Sequence, residues 1–406
     1  MYEGKIIKFY REKYQITQEQ LGKGICSGTH ISKIERLQTE YAPEIVALLS
    51  QRLGINLEHE MKNLKNIKMR LNHWHNVIIM QLFEEMDTIH EELEHLELIK
   101  VSEYVNLYNL LQARYLLMKN RTDEALILIK VIQKIEHKLT PYDSNLLKHV
   151  LGIYYLANQD YLNAIQPLKA IQDEVYNNPE YYYHLAVAYH SIESPIMAYF
   201  YADKSRQFFK GINNYIRVID AEMIMTIQLK DDGDFTETIK RFENLIQGCE
   251  LCNAPHRKAK VLHNLAYEYY RRKKFEPASR YYKDSLSLKD KESSPYLLSL
   301  EGYIRSSFLG CLLPPDELLQ LAKEGLETAI QKNDLLYINL FNLICYLLQF
   351  KEHEYYEYLY DRALPMFKKF GFVYLIHRSK KELFNYYSKT NQTSKALKIA
   401  EVLINH

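Results

Sequence analysis

Leu265-Ala-Tyr-Glu-Tyr-Tyr-Arg-Arg-Lys-Lys-Phe-Glu-Pro-Ala278 places two small residues, Ala266 and Ala278, twelve positions apart around a run of aromatic and charged residues. The same design recurs at Gly152 with Ala164 and at Ala186 with Ala198. Fainter copies pair Ala113 with Ala125, Thr226 with Thr238, Ser306 with Leu318, Cys345 with Glu357 and Phe384 with Ala396. The second members fall at 125, 164, 198, 238, 278, 318, 357 and 396, so their spacings are 39, 34, 40, 40, 40, 39 and 39 residues. A period of that length marks one supersecondary unit repeated along the chain. Each unit reads as a helical hairpin that cannot bury its apolar face alone, so stacked hairpins share one continuous core. One further step back reaches Met86, and residues 67–98, with Trp74 and Leu93, read as a degenerate first copy. That makes eight repeats and a ninth.

The composition agrees. Gly 13 and Pro 11 in 406 residues are about half of average usage, which leaves few turns for a sandwich, a barrel or a Gly-rich nucleotide fold. The chain reads as all-α. Lys+Arg 52 against Asp+Glu 51 balance to a net charge of +1, so net charge predicts no polyanion-binding surface. Five unevenly placed Cys make no disulfide framework and suit a reducing compartment. The first residues are charged throughout, and no apolar run reaches about 18 residues. The expectation is a cytoplasmic protein with no membrane partner.

Residues 1–57 are punctuated differently. Ile6, Ile7 and Tyr10 mark a first amphipathic helix, and Thr17-Gln-Glu-Gln20 is a capping box opening a second. Leu21 and Ile25 face inward, Ser27 opens a third helix, and Ile31 and Ile34 form its inward stripe. Pro43 starts a fourth helix that carries Ile45, Leu48, Leu49 and Leu53 and ends at Gly54. Two short helices joined by a tight turn, buried by their neighbours, make a helix-turn-helix head.

The residues from Ile16 to Glu35, ITQEQLGKGICSGTHISKIE, resemble the lambda-repressor/Xre type of helix-turn-helix, with one residue fewer between Leu21 and Ile31. The repeats resemble tetratricopeptide repeats with longer loops, which implies a right-handed superhelix. Head and body together resemble the RNPP (Rap, Rgg, NprR, PlcR, PrgX) quorum-sensing regulators, and the body's length is most similar to the NprR branch. The resemblance implies three segments: a DNA-binding head (1–57), a connector with the degenerate repeat (58–100) and a peptide-binding repeat domain (101–406). It implies a cytoplasmic transcriptional regulator, not an enzyme, switched by a short signalling peptide and working as a homodimer on an inverted-repeat operator. A Rap-like role, binding a response regulator and modulating its phosphorylation, is the alternative.

Helix-turn-helix geometry turns the start of the second helix toward the major groove. Ser27, Gly28, Thr29, His30 and Lys33 form the expected groove-facing set, Gln18 points its amide at phosphates, and Lys8, Arg11 and Arg36 add phosphate contacts. Residues 1–36 hold seven Lys/Arg and four Glu, so one head would bind weakly and a dimer is expected. In the body, the first helix of each repeat lines the concave surface, at three before, two before and one after the small anchor. This selects Asn264, Tyr267, His184, Asn342, Tyr346, Asn385 and Arg114 as peptide contacts, with Arg271 one turn further along its helix and Asn339 one turn earlier on its own. An Asn amide both donates and accepts, so it can hold a peptide main chain whatever its side chains. RNPP receptors resemble this design.

Catalytic and metal signatures fail. His90 and His95 are five apart, off the shared helix face that an HExxH site needs. Cys249 and Cys252, expected in a loop before His256, lack a second CxxC pair. No phosphate loop is present, and no cofactor or metal is expected. His73 and His75 are expected to pack around a core Trp74.

Overall fold

The structure, a computed structural model, describes residues 3–36, 38, 42–229 and 235–404. Every regular element among them is helical, and they fall into two compact units, Met1–Ala157 with Ala170–Asn177, and Asn158–Lys169 with Asn178–His406.

The first unit begins with α1 (Glu3–Lys13), α2 (Gln18–Gly22), α3 (Gly28–Glu35) and α4 (Pro43–Leu53). The punctuation legible in the sequence sets their ends. Thr17 Oγ accepts from the Gln20 N–H and the Gln20 side chain accepts from the Thr17 N–H, at 3.1 and 2.8 Å. Ser27 caps α3 by accepting from the His30 N–H, and Gly54 closes α4 in the left-handed region. Gly24, at φ +76°, supplies the same conformation between α2 and α3. Ile7, Leu21, Ile31, Ile34, Val46, Leu49 and Leu53 form the core of this head. Leu48 was expected inward but is about half exposed, and Val46 takes its place because Val46, Leu49 and Leu53 share one face at helical spacing. The unit continues through α5 (Leu57–Met80), α6 (Phe83–Glu94), α7 (Val105–Met118), α8 (Thr122–Gln133) and α9 (Pro141–Ala157). Trp74 is fully buried between α5 and α6 and donates its indole N–H to the Met86 carbonyl.

The second unit runs through α10 (Tyr161–Lys169), α11 (Tyr181–Ser191), α12 (Pro195–Gly211), α13 (Tyr215–Gln228), α14 (Phe235–Leu251), α15 (Pro255–Arg271) and α16 (Phe275–Ser287). It continues with α17 (Ser294–Leu309), α18 (Pro315–Gln331), α19 (Leu335–Leu348), α20 (Glu352–Tyr358), α21 (Leu364–Lys369), α22 (Val373–Lys389) and α23 (Thr393–Ile404). Each helix packs on the next. Ala186, Ala198, Ala266, Ala278, Ser306 and Leu318 are fully buried, as hairpin anchors should be. Cys345 and Phe384 are only half-buried, and Glu357 is exposed while Tyr355 and Leu359 are buried. α19 ends at Leu348 and α20 begins at Glu352, so the buried position in the first turn of α20 falls at Tyr355, two residues before the expected anchor, and a π-helical turn, Leu359–Ala363, then joins α20 to α21.

Scarce glycine is reconciled with many turns by other residues in the left-handed region. Asn120, Asn213, Asn253, Asn333 and Asn391 take φ between 48° and 59°, and Gln159, Glu193, Lys273 and Phe350 do the same. At Lys273 the Schellman bonds are complete: Lys273 N–H donates to Tyr270 O at 2.9 Å and Lys274 N–H to Tyr269 O at 3.0 Å. A left-handed Lys costs about 1 kcal/mol relative to Gly. Lys273→Gly, at an exposed position, is therefore expected to raise stability by about 0.5–1 kcal/mol after the extra unfolded-state entropy of Gly is subtracted. A lower urea midpoint for the variant would contradict this account.

Candidate functional site

Two regions carry clustered polar chemistry. On α3, Thr29, Lys33 and Arg36 are exposed, and their spacing aligns them along one helix face. Ser27 is spent as the cap of α3. Gly28 packs closely on Glu19, whose carboxylate oxygen an added Cβ would meet at 3.2 Å. His30 is half-buried, and its Nε2 is enclosed without a hydrogen-bond partner.

Behind this face, Arg11 donates twice to the buried Glu35, at 2.5 and 3.0 Å, and to the Ile16 carbonyl at 3.0 Å. The Gln18 amide nitrogen donates to the same Glu35 at 2.8 Å. Gln18 and Arg11 are thus committed to tying α1, α2 and α3 together, where phosphate contacts were expected of both. Arg52 donates to the Leu21 and Lys23 carbonyls and closes the end of α2. Removing one partner of such a buried pair strands the other. Glu35→Ala is expected to destabilise the head by about 3–5 kcal/mol, read as an earlier urea transition; an unchanged transition would show that the pair holds nothing.

The second region is a cavity of about 370 Å³ within the second unit. It crosses the helices obliquely. His190 comes from the end of α11, His263, Asn264 and Tyr267 from the middle of α15, and Tyr270 from its last turn. Leu298, Glu301 and Arg305 come from α17, and Leu336 and Leu340 from the first turns of α19. Tyr374 and Arg378 of α22 line it as well. The last hairpin is fastened to earlier ones: Tyr267 Oη donates to Tyr374 Oη at 2.9 Å, and His377 Nδ1 lies 2.6 Å from Glu193 Oε2. Arg378 reaches Glu301 at 3.4 Å.

Of the residues selected from the sequence, Asn264 and Tyr267 line this cavity. Asn339 and Asn342 do not. Each donates to a carbonyl of its own helix, and Tyr358 of α20 bonds to both, donating to Asn339 Oδ1 at 3.1 Å and accepting from Asn342 at 3.3 Å. Tyr346 packs its ring on Tyr358, Arg271 is held by Glu268 at 2.9 Å, and Asn385 is exposed. His184 sits edge-on to Tyr183. Arg114 belongs to the first unit, buried, with Nη1 3.0 Å from His75 Nε2. Glu301, Arg305, Tyr374 and Arg378 escaped the sequence reading. Glu301 and Arg305 carried a signal, an acidic and a basic residue one turn apart on a helix rich in buried positions, whereas Tyr374 and Arg378 on α22 carried none.

Electrostatics mark the same floor. Burial alone would raise the Glu301 carboxyl, but Arg305 and Arg378 outweigh it and hold it below the usual carboxylate range. Burial, then the nearby Lys289, drives His263 down to about 3, so this imidazole is neutral. A depressed carboxyl stabilises the fold above its unfolded value and loses that contribution as pH falls through the folded one. The stability gap between the wild type and Glu301→Gln should therefore narrow as pH drops below about 4.5. A gap constant down to acid unfolding would remove Glu301 from the account.

Cys249 lies in the last turn of α14, where a loop was expected, and burial pushes its thiol up to about 11. Among the described residues no group of three or more His, Cys, Asp or Glu could hold a metal ion. None of the described helices is long and apolar enough to cross a membrane.

A helix-turn-helix family profile matches residues 7–59. The chain is 24% identical over 404 residues to the transcriptional activator NprA of Geobacillus stearothermophilus, across 93% of this chain and 96% of that one. NprR solved in complex with its cognate peptide NprX matches with a TM-score of 0.67 and 20% identity, over 84% of this chain and 98% of that chain. A Rap protein solved with Competence and Sporulation Factor matches with a TM-score of 0.72 and 15% identity, over 84% and 97%. The two structural likenesses establish the fold.

Proposed function

We propose that this chain is an NprR-like member of the RNPP group, a cytoplasmic transcriptional regulator controlled by a short peptide. The head binds operator DNA, and the peptide occupies the cavity of the second unit. One observation carries this reading: a capped helix-turn-helix head and a half-open cavity lined by aromatic, apolar and a few charged side chains occur in the same chain. The curated relative NprA is named a transcriptional activator, and the NprR structure holds a peptide.

In this reading Gly28, Thr29, His30 and Lys33 meet base edges, with Arg36 on the backbone. The charge of one head is modest, so two heads on an inverted repeat supply the affinity. Asn264 and Tyr267 hold the peptide. The peptide must prefer one arrangement of the repeats, since equal affinity for two arrangements shifts neither.

Selection of genomic fragments by the purified protein at fixed near-physiological salt, beside a Thr29→Ala/His30→Ala variant, tests the head. Fragments sharing an inverted repeat, lost in the variant, are expected; equal recovery by both proteins would refute the assignment. Asn264→Ala is expected to weaken peptide binding by about 1–3 kcal/mol in calorimetry, and an unchanged affinity would take Asn264 out of the contact set. The alternative, a Rap-like body acting on a response regulator, rests on the shared repeat fold. It predicts capture of a phosphorylated receiver domain by a head-deficient variant as well as by the full chain.

A further inference from the structure

We infer that the hairpin of α5 and α6 is a self-complementary docking face, and that its occupant is the same hairpin of a second copy of this chain. The inference goes beyond the regulator reading, which asks for two heads without saying which surface joins them.

Charge is segregated along this hairpin. Residues 61–80 hold four Lys/Arg and no Asp or Glu, whereas residues 83–97 hold seven Asp/Glu and no Lys or Arg. The two acids of α5, Glu58 and Glu60, stand in its first turn. The helices run antiparallel, with Trp74 donating to the Met86 carbonyl, Arg70 paired with Glu92, and His73 Nε2 2.9 Å from Glu85 Oε1. Those pairs close the seam between the helices, while Lys13, Lys119 and His90 engage Glu97, Asp87 and Glu94. Lys62, Lys65 and Lys68 on α5 and Glu84 and Glu91 on α6 are exposed, and none of them makes an ion pair among the described residues.

These unpaired charges are aimed outward. Lys62, Lys65 and Met69 recur at helical spacing on the side of α5 opposite the buried Leu64, Ile67 and Leu71. Glu84 and Glu91 share the side of α6 opposite the buried Met86, Ile89 and Leu93. Met69, Leu82 and Phe83 are 66, 47 and 50% exposed, so the hairpin offers apolar surface as well.

A row of ammonium groups beside a row of carboxylates selects its partner by sign. A polyanion, nucleic acid included, would meet the acids of α6, and a uniformly basic partner would meet the lysines of α5. A surface with the same segregation, turned by a two-fold axis, sets each α5 against the other copy's α6 and satisfies both rows at once.

The test is sedimentation of the full chain at low and high salt. The wild type is expected to dimerise, more weakly as salt screens the exposed charges. Lys62→Glu/Lys65→Glu/Lys68→Glu makes the outward charges of both rows acidic, and Glu84→Lys/Glu91→Lys makes them basic. Each variant alone is expected to dimerise at least about a hundredfold more weakly, because like charges then face each other. An equimolar mixture of the two should restore a one-to-one heterodimer, which also shows that both variants are folded. Carbodiimide treatment of mixed isotope-labelled and unlabelled wild type should join α5 lysines to α6 carboxylates between copies. Dimerisation unchanged in both variants, or a mixture that stays monomeric, overturns this face and leaves the two-head reading standing. Unchanged dimerisation with weaker DNA binding by the lysine variant alone assigns α5 to phosphates and overturns the face too. A wild type that is monomeric at every concentration also overturns it, and the genomic selection above then reports on the head independently.

Discussion

Close approach of helices at small side chains is the constraint on which the second unit depends. Gly302 on α17 leaves no room for a Cβ, which would meet the Tyr282 ring at 2.4 Å, and Gly325 stands in the same relation to Phe341 at 2.5 Å. Those bare backbones let large rings lie flat between neighbouring hairpins. The buried Ala266, Ala278 and Ser306 keep the same spacing elsewhere. Because each hairpin is set by its neighbour, a small rotation per repeat accumulates along the stack. That accumulation lays α22 against α15 and α17, where Tyr374 meets Tyr267 and Arg378 meets Glu301.

Buried charge does comparable work in both units. In the head, Glu35 gathers Arg11 and Gln18 from two other helices. In the cavity, Glu301 gathers Arg305 and Arg378 from α17 and α22. Such pairs add little net stability over a well-packed apolar core, but breaking them is costly. They therefore specify which helices meet. The two differ in one respect: the head's cluster is capped by the Gln18 amide, while the cavity's retains a buried Arg305 donor with no partner.

The elements of the head were legible from their punctuation, because capping, proline at a first turn and a left-handed glycine are local effects. Thr17, Ser27, Pro43 and Gly54 act where the sequence places them. The inward direction of Gln18 and Arg11 was not, since it depends on Glu35, 17 and 24 residues away. The repeats were legible from their period, and their register held wherever a small residue sat at the anchor. It slipped at Glu357, because α20 starts at Glu352 and its first turn buries Tyr355 instead.

The candidate cavity shows the limit most clearly. A fixed offset from each anchor finds Asn264 and Tyr267 on α15, because the cavity crosses the middle of that helix. Applied to α19, it selects Asn342, which turns to Tyr358 while Leu336 and Leu340, six and two residues earlier, line the cavity. The sequence by itself determined the helices, their pairing into hairpins and the helix-turn-helix head, since periodicity and caps act within a few residues. Only the tertiary structure decided which side chains converge on one space, because that follows from rotation summed over many repeats, and no single repeat encodes the sum.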